Sequence, residues 1–204
     1  MKGNFITFEG SEGCGKSTQS KLLCDYLKKK GYSVIYLREP GGTKISERIR
    51  EILLDPENHM TAQCEMLLYM AARSQIVEGI IKPALKKGKI VICDRFLDST
   101  LAYQGYGLGM EIDFIRRVGN FVCSGIKPGL TILLDLPVKD GLKHRHLKED
   151  RIEKRPLPYH FKVRNGYLKL AKNEPKRIKI VQVDKDKTVT QDNVRKFVDK
   201  FLKG

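Results

Sequence analysis

The sequence predicts an α/β fold in which helices cover both faces of a five-stranded parallel sheet. Two observations carry this. Five short runs, near residues 4–9, 33–38, 89–93, 130–135 and 178–183, are continuously apolar rather than alternating ("NFITF", "VIYL", "IVIC", "LTILLDL", "IKIVQV"), as strands buried on both faces must be. The stretches between them place apolar residues at helical spacing, and strand–helix alternation of this kind winds into a parallel sheet through right-handed crossovers. With 204 residues the chain is sized for one domain, spanning 1–204, and is too short for two ordinary domains and a linker.

The first strand runs directly into "FEGSEGCGKSTQSKLL", where Gly10, Gly15, Lys16 and Ser17 have the Gly-x-x-x-x-Gly-Lys-Ser spacing of a phosphate-binding loop that resembles Walker A. The chemistry follows from the residue types. The first amides of a helix have no intrahelical partner and attract an anion, and Gly10, Gly13 and Gly15 let the backbone curl around it. Ser11, Glu12 and Cys14 fill the variable positions, and Thr18 is expected to start the helix proper. Lys16 would reach the β- and γ-phosphates of a nucleotide, while the Ser17 hydroxyl would complete the shell of a Mg²⁺ that keeps most of its waters. Leu22, Leu23, Tyr26 and Leu27 give the following helix its apolar face.

The second strand ends at Arg38-Glu39 and is followed by a Pro-Gly-Gly turn. A long helical pattern then runs from Thr61 to Lys87, with Met66, Leu67, Met70, Ile76, Val77 and Ile80 on a mostly apolar stripe that suits either core or an oligomer interface. The third strand ends at Asp94-Arg95, a carboxylate beside a guanidinium, the pair suited to Mg²⁺-bound water and a phosphoryl group. The fourth ends at Asp135, which reads as a helix cap or as a further site residue. In open parallel sheets ligands sit beyond the carboxyl ends of the strands, so Glu9, Glu39, Asp94 and Arg95 should converge on one edge.

Composition excludes several classes. A formal charge of +15 can mark a nucleic-acid binder, but between Lys139 and Lys187 the 16 Lys/Arg are interleaved with 7 Asp/Glu and with apolar positions, and no zinc-finger, basic-zipper or aromatic–basic RNA signature is present. The expectation is a solvated basic surface without a nucleic-acid partner. No apolar run approaches the ~20 residues that span a bilayer, so no membrane partner is expected either. The five cysteines (Cys14, Cys24, Cys64, Cys93, Cys123) are scattered, without Cys-x-x-Cys spacing, and read as reduced thiols in a cytoplasmic protein. There is no Ser-His-Asp arrangement and no dinucleotide glycine fingerprint after the first strand.

Taken together and in order, "FITFEGSEGCGKST", "REPGGT", "LLYMAARSQ", "CDRFLDSTLAYQGYG" and "DRIE" resemble the thymidylate kinases of the bacterial type, a P-loop nucleoside-monophosphate kinase family, over nearly the whole chain. The resemblance implies the P-loop NTPase fold, a homodimer, and Mg²⁺-dependent transfer of the γ-phosphoryl group of ATP to dTMP. It implies a phosphate cradle from Gly10 to Thr18, Arg95 bridging donor and acceptor phosphates, and Glu9, Ser17 and Asp94 around the metal. Glu39 and Arg50 would lie by the acceptor sugar and phosphate, Arg73 against the base and Tyr69 stacked on it. Ser99 belongs to the same wall, with Thr100 and Gln104 at the pyrimidine edge and Tyr103 beneath the deoxyribose. The variable loop positions carry no arginine, so catalytic charge is expected from a lid at about 142–155, through Arg145 or Arg151. His144 and His146 in that segment read as solvent-exposed side chains rather than metal ligands. Two alternatives are a hydrolytic P-loop switch and a kinase for another acceptor; a pocket built from Glu39, Arg73 and residues 99–104 has no purpose in the former.

Overall fold

The structure, a computed structural model, describes residues 3–143 and 150–203. Strands β1 (Phe5–Glu9), β2 (Val34–Arg38), β3 (Ile90–Asp94), β4 (Leu130–Asp135) and β5 (Ile178–Gln182) form one all-parallel sheet in the order β2-β3-β1-β4-β5. Each lies within a residue of its sequence-derived span. The strand order reverses at β1: the chain first builds toward β2 and β3 on one side, then toward β4 and β5 on the other. The crevice at such a switch point is where ligands settle in open α/β sheets. The register brings Arg38, Phe8 and Asp94 level, so the charged strand ends do share one edge.

Both faces of the sheet are covered. On one side Ile6, Phe8, Ile92 and Ile132 pack against Leu23 and Leu27 of α1 (Lys16–Lys29) and Val194 and Val198 of α9 (Lys187–Lys203). On the other, Phe5, Val91 and Cys93 meet Ile76, Val77, Ile81 and Phe96. Helices α2 (Lys44–Leu54) and α3 (Ala62–Ile76) start at Thr43 and Thr61, whose hydroxyls accept from the amides of Ser46 and Cys64, so each first turn satisfies an otherwise orphaned donor.

The pattern from Thr61 to Lys87 is helical throughout but not uniform. After α3 comes a π-helical turn, Val77–Ile81, and then α4 (Lys82–Lys86). Pro83 has no N–H to give a carbonyl one turn back, and the ladder shifts register just ahead of it. A second π-helical turn, Leu101–Gly107, continues α5 (Leu97–Thr100) and carries Tyr103 and Gln104. Helix α6 (Ile112–Val122) follows, then α7 (Val138–Lys143) after β4 and α8 (Leu157–Asn173) after the described residues 150–156. α8 packs along the second π turn.

Candidate active site

The loop after β1 folds as its glycines require. Gly13 has φ of 70°, and a Cβ there would lie 1.9 Å from the carbonyl oxygen of Gly141 in α7, so loop and helix approach backbone to backbone. Gly15, at φ 84°, opens α1, which begins at Lys16, two residues ahead of the expected Thr18. The Lys16 ammonium donates to the Ser11 carbonyl at 2.7 Å and bends the loop back on itself. Cys14 is buried under the loop, where loss of solvation pushes its thiol up despite the nearby Lys16.

Beside the loop opens a cleft of about 510 Å³ at the carboxyl edge of the sheet. Glu12, Gly13, Gly15, Lys16, Ser17 and Thr18 line one end; Gly10, Ser11 and Cys14 are not on the wall, and the Ser11 carbonyl and Cys14 Sγ accept from Lys16. The other end is lined by Glu39, Arg50, Tyr69, Ser99, Thr100, Tyr103 and Gln104, and Asp94 and Arg95 lie between the two. Arg50 donates to the Pro40 carbonyl at 3.1 Å, which leaves the rest of its fork facing the cleft.

Ser17 Oγ donates to Asp94 Oδ2, while Asp94 Oδ1 is buried without a partner. A hydroxyl and a carboxylate oxygen with unspent acceptor capacity, side by side at the end of a phosphate loop, suit a hard cation that draws its remaining ligands from water and phosphate. Among the described residues no group of three or more His, Cys, Asp or Glu forms a metal cage. Mg²⁺ needs none, because one or two carboxylates and the substrate phosphates commonly suffice.

Arg95 takes a left-handed backbone, φ 72°, rare for a residue with a Cβ and a mark of a position held for function. Its guanidinium pairs with Glu12 at 2.8 Å, reaches Gly10, Ser99 and Tyr167, and lies 4.9 Å over the Tyr103 ring. Burial alone would lower the guanidinium pKa, but the Glu12 charge holds it well above its usual value. Burial pushes Glu12 up in turn; Arg95, then Lys16, and a 2.7 Å hydrogen bond from Tyr103 outweigh it and hold the carboxyl at about 2.

Three sequence-predicted residues sit elsewhere than expected. Arg73 is 1% exposed and stands behind the cleft wall, not on it. Its fork is spent on Glu39 (2.7 Å), Thr100 Oγ1 (3.0 Å) and the Phe96 carbonyl (3.1 Å), because a guanidinium beside a buried carboxylate is drawn to it before anything else. Burial raises the Glu39 carboxyl against the pull of Arg73, whereas the Glu39 charge raises the Arg73 guanidinium in spite of burial. Glu9 is also behind the wall: its carboxylate accepts from the Phe96 amide, Ser99 Oγ and Tyr167 Oη, which takes three of its roughly four acceptor sites. Burial, then the charge of Asp98, push its carboxyl up to about 7. Arg151 turns from the phosphate loop toward Glu65, 2.6 Å away, and donates to the Leu53 carbonyl. Arg145, His144 and His146 lie outside the described residues. Asp135 is taken by Arg164 in a bidentate pair at 2.7 and 2.8 Å, which serves neither a cap nor the cleft.

The structure adds residues that no motif announced. Tyr167, on α8, bonds Glu9, Ser99 and Arg95 at once. Glu65, completely buried, accepts from Gln104, and Arg155 joins it. Only the position of Glu65 one turn before Tyr69 on the same helix could have drawn attention to it.

A phosphate loop at the head of a parallel sheet, with a Ser–Asp pair for a hard cation and an arginine between that loop and the far wall of the same cleft, defines a P-loop phosphotransferase. The family model for thymidylate kinase matches residues 8–194. A thymidylate kinase of Caldanaerobacter subterraneus is 45% identical over 100% of this chain and 99% of its own, and one from Geotalea daltonii 54% identical over 88% of each. The crystal structure of thymidylate kinase from Ehrlichia chaffeensis superposes with a TM-score of 0.81 at 33% identity, covering 97% of this chain and 100% of that one. The chain belongs to the thymidylate kinase family, and it is a kinase.

Proposed function

We propose that this enzyme transfers the γ-phosphoryl group of ATP to dTMP, giving dTDP and ADP, with ATP at the loop end of the cleft and dTMP at the far end. The observation that carries this reading is the continuity of the cleft: phosphate-binding amides and Lys16 at one end and an aromatic and amide wall at the other, with Arg95 between them. Phosphoryl transfer asks little covalent chemistry of a protein, so positioning and charge neutralisation supply most of the barrier reduction.

Backbone amides from Gly10 to Thr18 and the Lys16 ammonium hold the donor phosphates. Ser17 and Asp94 would hold Mg²⁺, which, when bound, neutralises charge on the phosphate oxygens. Arg95 leaves Glu12 to bridge donor and acceptor phosphates. Arg50 and Glu39 border the acceptor phosphate and sugar, Tyr69 stacks on the base, Thr100 and Gln104 meet its edge, and Tyr103 closes the floor below the deoxyribose. Arg73 fixes Thr100 and Glu39 from behind rather than touching the base. With Arg151 committed to Glu65, Arg145 is the lid arginine left for the phosphates.

The exposed apolar side chains of Leu67 on α3 and of Phe114 and Phe121 on the adjoining α6 support a homodimer built on these helices; Phe121 is 83% exposed. Five free thiols suit a reducing, cytoplasmic setting. The test is a panel of nucleoside monophosphates assayed for ADP release with ATP, with and without Mg²⁺. Release that depends on dTMP and on Mg²⁺ is expected; equal release without any acceptor would make the protein a hydrolase.

A further inference from the structure

Gln104 and Glu65 pose a question that the cleft wall alone does not answer: which end of the Gln104 amide faces the acceptor? An amide can present either a carbonyl or an NH₂ group, and these read opposite base edges. The answer lies one layer back. Glu65, 0% exposed, accepts from Gln104 Nε2 through Oε1 at 2.7 Å. An ionised carboxylate can only accept, so the amide nitrogen must point to Glu65 and the orientation is fixed by chemistry. The Gln104 carbonyl oxygen is left without a hydrogen bond from any described residue and retains access to the cleft that the residue lines.

The Glu65 charge is held in place from its other side. Oε2 lies 2.6 Å from Nη2 of Arg155 and 2.6 Å from Nη2 of Arg151. Arg155 is itself fixed over the Tyr159 ring at 4.6 Å. Two partly buried guanidiniums meet the carboxylate oxygen that Gln104 does not use, so Glu65 is surrounded by donors and the amide nitrogen stays turned toward it.

We propose that Glu65 is a positioning residue for base selection: by holding the Gln104 nitrogen, it aims the Gln104 carbonyl at the acceptor, so that the site accepts a pyrimidine carrying a ring N–H, an imide, and rejects one carrying a bare ring nitrogen. This rests on the reading of Gln104 at the acceptor edge. Thymine and uracil offer an N–H between two carbonyls. Cytosine offers a lone pair there, which would face the carbonyl oxygen and leave both groups unpaired beside a side chain that is only 1% exposed. Sites that hydrogen-bond one partner and strand another discriminate strongly, because the stranded groups cannot be solvated.

The experiment measures kcat/KM for dTMP and dCMP, together with the KM for ATP, in the wild-type enzyme, Glu65→Gln, Glu65→Asp and Gln104→Met. In Glu65→Gln the new side-chain amide can offer a donor or an acceptor to either end of Gln104, so the preference for dTMP over dCMP should fall by about tenfold to a hundredfold, with the KM for ATP unchanged. Glu65→Asp keeps the negative charge between Arg151 and Arg155 but shortens the reach to Gln104, so the preference should fall there too, even where Glu65→Gln fails to fold. An undiminished preference in a folded Glu65 variant overturns the proposal. The arms separate two failures: if Gln104→Met also keeps the preference, the placement of Gln104 at the base edge is wrong, whereas if only Gln104→Met loses it, Gln104 reads the base and Glu65 does not orient it.

Discussion

The loop end of the cleft presents backbone amides, while the far end, the acceptor end of our proposal, rests on carboxylate and guanidinium side chains buried against one another. At the loop end the cradle is made of amides whose orientation α1 and three glycines dictate, and its lysine, Lys16, bonds the Ser11 carbonyl only five residues away. At the acceptor end Glu39 meets Arg73 across 34 residues and Glu65 meets Arg155 across 90, all at most 17% exposed at the side chain. Removing a cradle side chain takes away binding that appears when the nucleotide charge appears. Removing half of a buried pair leaves a charge with neither water nor partner, whatever the substrate is doing. The two ends should therefore fail in different ways.

The largest effect belongs to the loop. Lys16→Ala should lower turnover by about 10³-fold or more, measured as ADP release with saturating dTMP, while the thermal unfolding midpoint moves little. A large drop in that midpoint would show that the Ser11 contact holds the fold, and would blur the contrast between the two ends. Arg95→Ala comes next, with a loss on the order of 10³ in turnover, since a cation on transferring phosphates is worth that much. Because Arg95 stands between the two ends, its loss should appear in kcat with saturating ATP and dTMP alike; a variant that recovered full turnover at high dTMP would move Arg95 wholly to the acceptor side.

At the acceptor end the expected signature is stability. Arg73→Ala abandons Glu39 in the interior and should cost about 3–5 kcal/mol of unfolding free energy in a denaturant titration. Arg73→Ala with Glu39→Gln should recover much of that, because the stranded charge goes too. If instead the single variant unfolds like the wild type and only its KM for dTMP rises, Arg73 contacts the base directly and the acceptor end is a binding surface of the same kind as the loop.

The same contrast explains how much could be read from the chain alone. Parallel strands and the phosphate loop were legible because each is written in contiguous residues: an unbroken apolar run, or glycines at fixed spacing before Lys16 and Ser17. The residues at the strand ends were legible as a set, since topology forces them to one edge. What could not be read was which of them faces inward. Glu9, Arg73 and Arg151 carry side chains suited to ligands, but each found a buried protein partner nearer than the cleft: Tyr167, Glu39 and Glu65 respectively. No local pattern records a partner that is 34 to 158 residues away. The left-handed backbone of Arg95 is likewise a product of tertiary constraint, since nothing in "CDRFL" requires it.

Glu12 tests the boundary between the two ends, with the smallest effect. It is a loop residue by position, yet its carboxylate belongs to the acceptor network through Arg95 and Tyr103. Its folded-state carboxyl is held at about 2, below the ordinary value of 4.5, with Arg95 and then Lys16 overcoming the opposing effect of burial. A carboxyl depressed on folding adds stability that is complete above the unfolded pKa and fades as pH falls through the folded one. The contribution should thus be full at pH 6 and decline from about pH 4.5 toward pH 2. Glu12→Gln cannot ionise, so the difference in unfolding free energy between the two proteins should shrink over that window, by on the order of 1–2 kcal/mol, in denaturant titrations at about pH 6 and about pH 3. A constant difference across the window would mean that the Arg95 contact is no stronger than a neutral hydrogen bond. Arg95 would then leave Glu12 for a phosphate at little cost, and the loop would be free of the network that holds the acceptor end together.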